Sequence, residues 1–222
     1  MQLQGEVILK TKRIIFVVIF IYLSLFSGAA FAQVAEIRIG IGEFSEDFIN
    51  PGTERDNGIE QSVALQAEII FEEPKFLKWA LTPQPYVNAT LNLEGNTNHA
   101  GVGLLWRQHI GKKLYGDFSF GLVAHDGTIN IDARDFISAE TGFDQDALFN
   151  ARRTQREFGS RILFREQLTL GYRINNEWAA EVFFEHLSNG LLIGRKPDPD
   201  NFFDSRDNDS VDTLGMRVAK RF

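Results

Sequence analysis

The chain has 222 residues, of which 44% are hydrophobic and 24% are charged, a composition typical of a folded protein. Its 23 basic and 30 acidic residues give a formal net charge of −7, which argues against a general binder of nucleic acid. Because it contains no cysteine, a disulfide framework, a cysteine zinc site and thiol catalysis are all excluded.

The N-terminal segment has the pattern of a secretory signal peptide. Lys10, Lys12 and Arg13 precede an apolar run over 14–26, and Ala30 and Ala32 supply the small residues of a cleavage site. The alternative is a membrane anchor, but this run is short for a bilayer span, which needs about 20 residues. We therefore predict a signal peptide over 1–32 and a mature domain over 33–222.

The mature chain alternates apolar and polar residues with a period of two, which predicts β-strands. In the first strand, for example, Ile37, Ile39 and Ile41 lie on one face, opposite Glu36 and Arg38. Eight segments share this pattern: 34–42, 61–71, 85–94, 100–108, 114–125, 158–174, 177–188 and 211–222. One carboxylate, Glu166, interrupts the apolar face of the sixth strand.

Strand alternation fits either a soluble sandwich or a barrel in lipid, because it does not say which face points outward. Export, strand length and connection length favour the barrel. Short connections such as 109–113 and 174–177 alternate with long polar ones at 43–60, 126–157 and 189–210, although 72–84 is long for a turn. We predict an all-β protein, an eight-stranded antiparallel transmembrane β-barrel over 33–222.

The barrel makes two further predictions. Four rings, Trp106, Tyr172, Trp178 and Phe222, fall at the periplasmic ends of their strands on the apolar face, as in an interfacial aromatic girdle. Eight strands leave no open lumen, so the inward Arg and Glu side chains should pack as a paired polar plug. A solute pore is therefore not expected.

A possible catalytic group lies on the apolar face of the last two strands. His186 and Ser188 share parity with Trp178, and residues at i and i+2 of a strand point the same way, about 7 Å apart. An imidazole can then take the proton of the hydroxyl. Asp212 reaches the same face and end from the next strand, where a carboxylate can orient the imidazole. A strand end that merely emerges into water is the competing interpretation.

The depth of this group also fits an esterase acting on lipid. Eleven steps from Glu177 to Ser188, tilted by about 40–45°, rise roughly 26 Å, close to the height of the apolar band. The group would then lie at the outer leaflet boundary, where lipid ester linkages occur.

The remaining histidines are not predicted to form a site. His125 has interior parity and is expected in the plug, His99 in a tight outer loop and His109 in a periplasmic turn. No metal site is predicted, since the spacing of Asp198, Asp200, Asp207 and Asp209 matches no calcium-binding loop.

Residues 183–190, Phe-Phe-Glu-His-Leu-Ser-Asn-Gly, and 208–212, Asn-Asp-Ser-Val-Asp, resemble the lipid A 3-O-deacylases of the PagL type. Similarity is also visible upstream, over 118–127 and 158–172, and in the closing 214–222. The resemblance covers most of the mature chain and is most specific over 158–222. The resemblance implies an outer-membrane barrel that hydrolyses an acyl ester of lipopolysaccharide at the outer leaflet, with no metal or other cofactor.

Carried across residue by residue, the resemblance makes His186 the base, Ser188 the nucleophile and Asp212 the acid. It also matches two asparagines of the family, Asn189 and Asn208. In two respects the chain departs from the family: Asp212 stands where the family has Glu, and the segment between Ser188 and Asp212 is longer. That segment contains Arg195 and Lys196, which could hold a sugar headgroup; a merely solvated acidic loop is the alternative.

The predicted function is therefore a serine esterase that removes a 3-O-acyl chain from lipid A. The oxyanion of its intermediate needs donors near Ser188, for which Asn189, Asn208 and the Gly190 backbone amide are equal candidates. Two alternatives remain open: a phospholipase A1-like esterase, and a non-catalytic structural or adhesive barrel in which His186 has no chemical role.

Overall fold

The computed structural model describes residues 33–45, 62–138, 142–190 and 210–222. The predicted signal peptide over 1–32 lies outside the described residues, as do segments 46–61, 139–141 and 191–209.

The strands within the described residues are β1 Val34–Ser45, β2 Ser62–Phe71, β3 Gln84–Asn92, β4 His99–Ile110, β5 Leu114–His125, β6 Ile137–Ser138, β7 Gly142–Phe143, β8 Ile162–Arg173, β9 Trp178–Ser188 and β10 Val211–Arg221. Eight of them close into one antiparallel barrel, in the spatial order β1-β10-β9-β8-β5-β4-β3-β2. This confirms the predicted fold class. The remaining pair, β6 and β7, forms a small hairpin in the long connection between β5 and β8.

The largest difference from the predicted strand bounds is at the start of β8, which begins at Ile162 rather than at residue 158. Phe158 and Gly159 instead donate backbone hydrogen bonds to Thr128 and Ile129 of the preceding loop. Gly159 has a φ of +67°, a left-handed conformation that interrupts extended backbone. A glycine at this position thus ends the outer loop before the strand starts.

The apolar faces of the strands point outward. Ile39, Leu168 and Met216 are exposed, and the residues that alternate with them along their strands are mostly buried. This arrangement is the inverse of a soluble sandwich, which buries its apolar face. The outer wall is thus an apolar surface of the kind that lipid covers.

The barrel interior holds a network of paired charges, which confirms the predicted plug. The guanidinium of Arg38 contacts Glu36, Glu68 and Asp117 at 2.5–3.0 Å, and Arg38 is completely buried. Among the described residues, the network combines four arginines with five carboxylates: Arg38, Arg107, Arg165 and Arg217 with Glu36, Glu68, Asp117, Glu181 and Glu185.

Two tyrosines fill the interior where the strands carry glycine. A Cβ atom added to Gly171 would overlap the ring of Tyr115, whose hydroxyl donates to Glu181 at 2.6 Å. Tyr86 similarly lies against Gly103 and Gly121. These glycines provide the space for rings, so the interior is packed rather than open.

Helical turns occur in two connections. Helix α1, Gln145–Thr154, lies in the long outer connection and is capped by Asp144, which accepts from the amide of Ala147 at 2.9 Å. A short 3₁₀ helix, Lys75–Ala80, joins β2 to β3. Among the described residues, no helix is both long and apolar enough to cross a membrane.

His125 is buried in the barrel as predicted, with Nε2 2.6 Å from the carbonyl oxygen of Ser160. The prediction for His99 was wrong: it is the first residue of β4 and is buried inside, with Nε2 3.4 Å from Glu185. Its loop assignment failed because β4 begins earlier than the alternation indicated. His109 likewise lies within β4 rather than in a turn.

We predict that Arg38→Ala destabilises the barrel by about 3–5 kcal/mol, because it removes a partner that four buried carboxylates share, namely Glu36, Glu68, Asp117 and Glu181. The free energy of unfolding, measured by urea titration of the purified barrel, checks this. Lys112→Ala, in the exposed turn between β4 and β5, is the control and should change it by less than about 0.5 kcal/mol. Equal effects of the two substitutions would contradict a stabilising role of the network.

Candidate active site

The candidate site lies at the ends of β8, β9 and β10 that adjoin the long connections. His186 on β9 and Asp212 on β10 are direct partners in the antiparallel register. Nδ1 of His186 lies 2.7 Å from Oδ1 of Asp212, within hydrogen-bond distance. Two residues separated by 26 positions are thus brought together by strand pairing.

His186 and Ser188 lie on the outer side of the barrel wall. On β9, exposed Trp178, Ala180 and Val182 alternate with buried residues, and His186 and Ser188 continue the outward parity. Asp212 has the outward parity of Leu214 and Met216 on β10, yet it is almost completely buried. The carboxylate is therefore shielded from solvent, whereas the imidazole, 26% exposed in its side chain, is accessible.

The contact with Asp212 determines which imidazole nitrogen can accept a proton. A carboxylate accepts, so Nδ1 of His186 donates to Asp212. In the neutral ring, the other nitrogen, Nε2, is then an acceptor. This tautomer is the one that a general base next to a hydroxyl requires.

Ser188 is the last residue of β9 and lies opposite Phe164 of β8. Its hydroxyl forms no hydrogen bond to His186 within the described part of the chain. Strand geometry nevertheless places the two residues on one face, about 7 Å apart at their Cα atoms. Catalytic hydrogen bonds are often long in the absence of substrate and tighten when it binds.

The three candidate oxyanion donors have different surroundings. The side chain of Asn189 is buried, and its Nδ2 donates to the carbonyl oxygen of Phe158 at 3.0 Å. Gly190, two residues after Ser188, has a left-handed φ of +58°, and a Cβ atom added to it would lie 3.3 Å from the ring of Phe164. Asn208 lies outside the described residues, together with Arg195 and Lys196.

A second carboxylate belongs to the same part of the wall. Glu166 of β8 lies directly opposite His186, on the side of β9 away from Asp212. It is half-buried and has outward parity, between the apolar Phe164 and Leu168. In the sequence, Glu166 stands out because it is a carboxylate on an otherwise apolar face. The alternation does not show that it lies opposite His186, because that depends on the register between β8 and β9.

An apolar groove of about 610 Å³ crosses the outer wall further along the same strands. It is lined by outward side chains of β1, β10, β9 and β8, among them Ile41, Met216, Val182 and Leu170. Val182 lies four residues before His186 on the same face, a separation of about 13 Å along the strand.

No group of three or more potential metal ligands occurs within the described ranges.

We predict that the neutral imidazole of His186 carries its proton on Nδ1. Nitrogen-15 NMR of histidine-labelled protein can assign this tautomer. Asp212→Ala should abolish the preference because it removes the acceptor, whereas the control Asp126→Ala, which affects a loop carboxylate bonded to Asn98, should leave it unchanged. A proton found on Nε2 in the unaltered protein would contradict the geometry.

A family model described as lipid A 3-O-deacylase (PagL) matches residues 76–221, more than half of the chain, including the whole candidate site. No curated protein matches the chain.

Two solved structures are similar to the chain. A crystal structure of the outer membrane enzyme PagL shows 11% identity, covers 85% of this chain and 100% of its own, and has a TM-score of 0.49. A crystal structure of Neisserial surface protein A (NspA) shows 8% identity, covers 85% and 96% respectively, and has a TM-score of 0.45.

Proposed function

Because the chain belongs to the lipid A 3-O-deacylase (PagL) family, we propose that it is an outer-membrane serine esterase that removes an ester-linked 3-O-acyl chain from lipid A of lipopolysaccharide. The observation that carries the proposal is the hydrogen bond between His186 and Asp212 on the outer wall, beside Ser188. No cofactor takes part in the proposed reaction.

In the first half of the reaction, His186 accepts the Ser188 proton on Nε2 while the hydroxyl oxygen attacks the ester carbonyl. Asp212 holds the Nδ1 proton and stabilises the imidazolium that forms. The tetrahedral intermediate expels the lipid A hydroxyl, which takes its proton from His186, and leaves an acyl-enzyme. The backbone amide of Gly190 and the amides of Asn189 and Asn208 are the donors proposed for the oxyanion.

In the second half, water replaces the sugar alcohol. His186 takes a proton from the water, the resulting hydroxide attacks the acyl-enzyme, and the fatty acid leaves as Ser188 recovers its proton. The mechanism therefore needs both an apolar seat for the acyl chain and access to water. A site at the boundary between the membrane and the exterior meets both needs.

The shorter acid side chain is compatible with this role. Asp212 has one methylene less than the Glu found in the family, yet its Oδ1 lies 2.7 Å from Nδ1 of His186. Direct pairing of the two residues in the strand register supports this reach. This distance supports Asp212 as the acid of the proposed triad.

The position of the site supports a substrate in the outer leaflet. In outer-membrane barrels, long connections face the exterior and short turns face the periplasm. The site adjoins the long connections, so its serine would meet lipids of the outer leaflet. The apolar groove below it offers a seat for the acyl chain that is released.

We predict that Ser188→Ala lowers fatty-acid release from purified lipopolysaccharide by at least about 1000-fold, because the nucleophile is lost. Mass spectrometry of the lipid A product measures this loss. Ser138→Ala, in the β6–β7 hairpin of the outer loop, is the matched control and should retain full activity.

Undiminished release by Ser188→Ala would contradict the proposed nucleophile. Hydrolysis of glycerophospholipid but not of lipopolysaccharide would instead favour the phospholipase A1-like alternative. Absence of both activities, together with no labelling of Ser188 by a fluorophosphonate, would favour the structural barrel.

A further inference from the structure

The β2–β3 connection, residues 72–83, presents large apolar side chains at the barrel end that carries the short turns. Phe76, Trp79 and Leu81 are 72%, 82% and 83% exposed. None of the residues of its 3₁₀ helix, Lys75–Ala80, is buried. Such a cluster is unusual on a surface in contact with water and indicates a binding partner or a membrane.

This connection is attached to the outer wall of the barrel. Nε1 of Trp106, an outward residue of β4, donates to the carbonyl oxygen of Ala80 at 2.8 Å. Trp106 in turn stacks on Phe118 of β5, whose ring is exposed on the outer wall, with 6.0 Å between ring centroids. The exposed side chains of the connection are therefore continuous with the apolar wall.

The backbone of the connection is strained at Leu81, whose side chain is exposed. Leu81 and Thr82 adopt left-handed conformations, with φ of 63° and 53°, which residues with a Cβ atom rarely adopt. Strain of this kind persists only where the surroundings compensate for it. Contact between Leu81 and lipid would supply such compensation, because it removes an apolar side chain from water.

We propose that the β2–β3 connection is a membrane-interface anchor that inserts Phe76, Trp79 and Leu81 into the phospholipid leaflet at the short-turn end of the barrel. Tryptophan is enriched at this level of membrane proteins because its ring is apolar and its N–H is polar. Lys75 and Lys78 flank the rings and are exposed, so their ammonium groups can reach the headgroups. The anchor would set the depth of the barrel, independently of any catalysis.

Spin labelling tests the anchor directly, since the chain has no native cysteine. Leu81→Cys keeps Phe76 and Trp79 in place and is labelled in the full mature barrel, reconstituted in phosphatidylethanolamine–phosphatidylglycerol vesicles. We expect this label to collide with oxygen, which concentrates in lipid, more than with a water-soluble nickel complex. Lys112→Cys, in the turn between β4 and β5 at the same end, is the control and should show the opposite preference.

A Leu81 label that is as accessible to nickel as the Lys112 label would overturn the proposal. A label shielded from both reagents would also overturn it, since a protein surface would then cover the connection. Phe76→Cys serves as a second labelled variant, and the heat-dependent shift of the folded barrel in gel electrophoresis verifies that each variant folds.

A separate observation concerns the carboxylate that faces His186 from β8. Glu166 and Asp212 oppose His186 directly from the two neighbouring strands, and side chains in such positions have Cβ atoms about 4.5–5.5 Å apart. Only Asp212 is hydrogen-bonded to the imidazole among the described residues. An ionisable residue on a membrane-facing surface is costly and is retained where it has a function.

We infer that Glu166 is a positioning residue for the proposed hydrolysis, whose charge stabilises the imidazolium that His186 becomes during proton transfer. This inference rests on the proposed function. The charge acts on the transition state rather than on substrate binding, so it should influence kcat and not KM.

Kinetics of three variants test this role. Glu166→Gln should lower kcat on lipopolysaccharide roughly tenfold with KM unchanged, and Glu166→Asp should restore part of the loss. Glu43→Gln makes the same change at an exposed outward carboxylate on β1, two strands away from His186, and should have no effect.

An unchanged kcat in Glu166→Gln, in a preparation where Ser188→Ala is inactive, would overturn the inference and leave the proposed function intact. A change in KM alone would also overturn it, because Glu166 would then act on substrate binding. If Ser188→Ala retained activity, the proposed function itself would fail.

Discussion

The register between β8, β9 and β10 is the constraint on which the site depends, and charges inside the barrel help to hold it. Arg217 of β10 contacts Glu181 of β9 at 2.5 Å, and Arg165 of β8 contacts Glu185 of β9 at 2.5 Å. A slip of one residue would turn these charges toward lipid and the apolar side chains inward. The buried network thus fixes, from inside, the partners that His186 meets outside.

The interior and the outer wall of the barrel have different roles in the proposed reaction. Among the described residues, the interior is filled by ion pairs and tyrosines. The outer wall is apolar, and the proposed catalytic residues lie at one of its ends, beside the long connections. A substrate embedded in the outer leaflet would reach Ser188 by lateral diffusion, without leaving the membrane.

The two ends of the barrel differ in a way that suits such a reaction. At one end, the outward face carries four polar side chains, those of His186, Asp212, Ser188 and Glu166. At the other end, the rings of Tyr172 and Trp178 remain exposed, with the ammonium of Lys220 5.5 Å from the Trp178 ring. An enzyme that cuts a bond at a defined depth benefits from anchors that fix its own depth.

Much of the fold follows from local alternation, which sequence shows directly. The period of two places the eight barrel strands within a few residues of their observed bounds and puts Ile39 and Met216 on the apolar faces, which strand and connection length then assigned to the outer wall. The number of strands predicts that the inward arginines and glutamates pair, because the interior of an eight-stranded barrel is filled by side chains and has no room for water to solvate unpaired charges. The strand boundaries were less predictable. The location of His99 depends on where β4 begins, and the start of β8 depends on Gly159 and on the hydrogen bonds of the preceding loop.

By itself, the sequence determined that eight segments of the mature chain form strands with one apolar face, and that His186 and Ser188 share that face with Asp212 at one end. Only the tertiary structure decided that Asp212 hydrogen-bonds to His186, that Glu166 opposes the same imidazole, and that Trp106 holds the β2–β3 connection against the wall. The physical reason is that the side of a strand on which a side chain lies is fixed locally, by the alternation of the extended backbone. The register between strands and the contact of a connection with the wall join residues that are distant along the chain, and they arise only when the barrel closes.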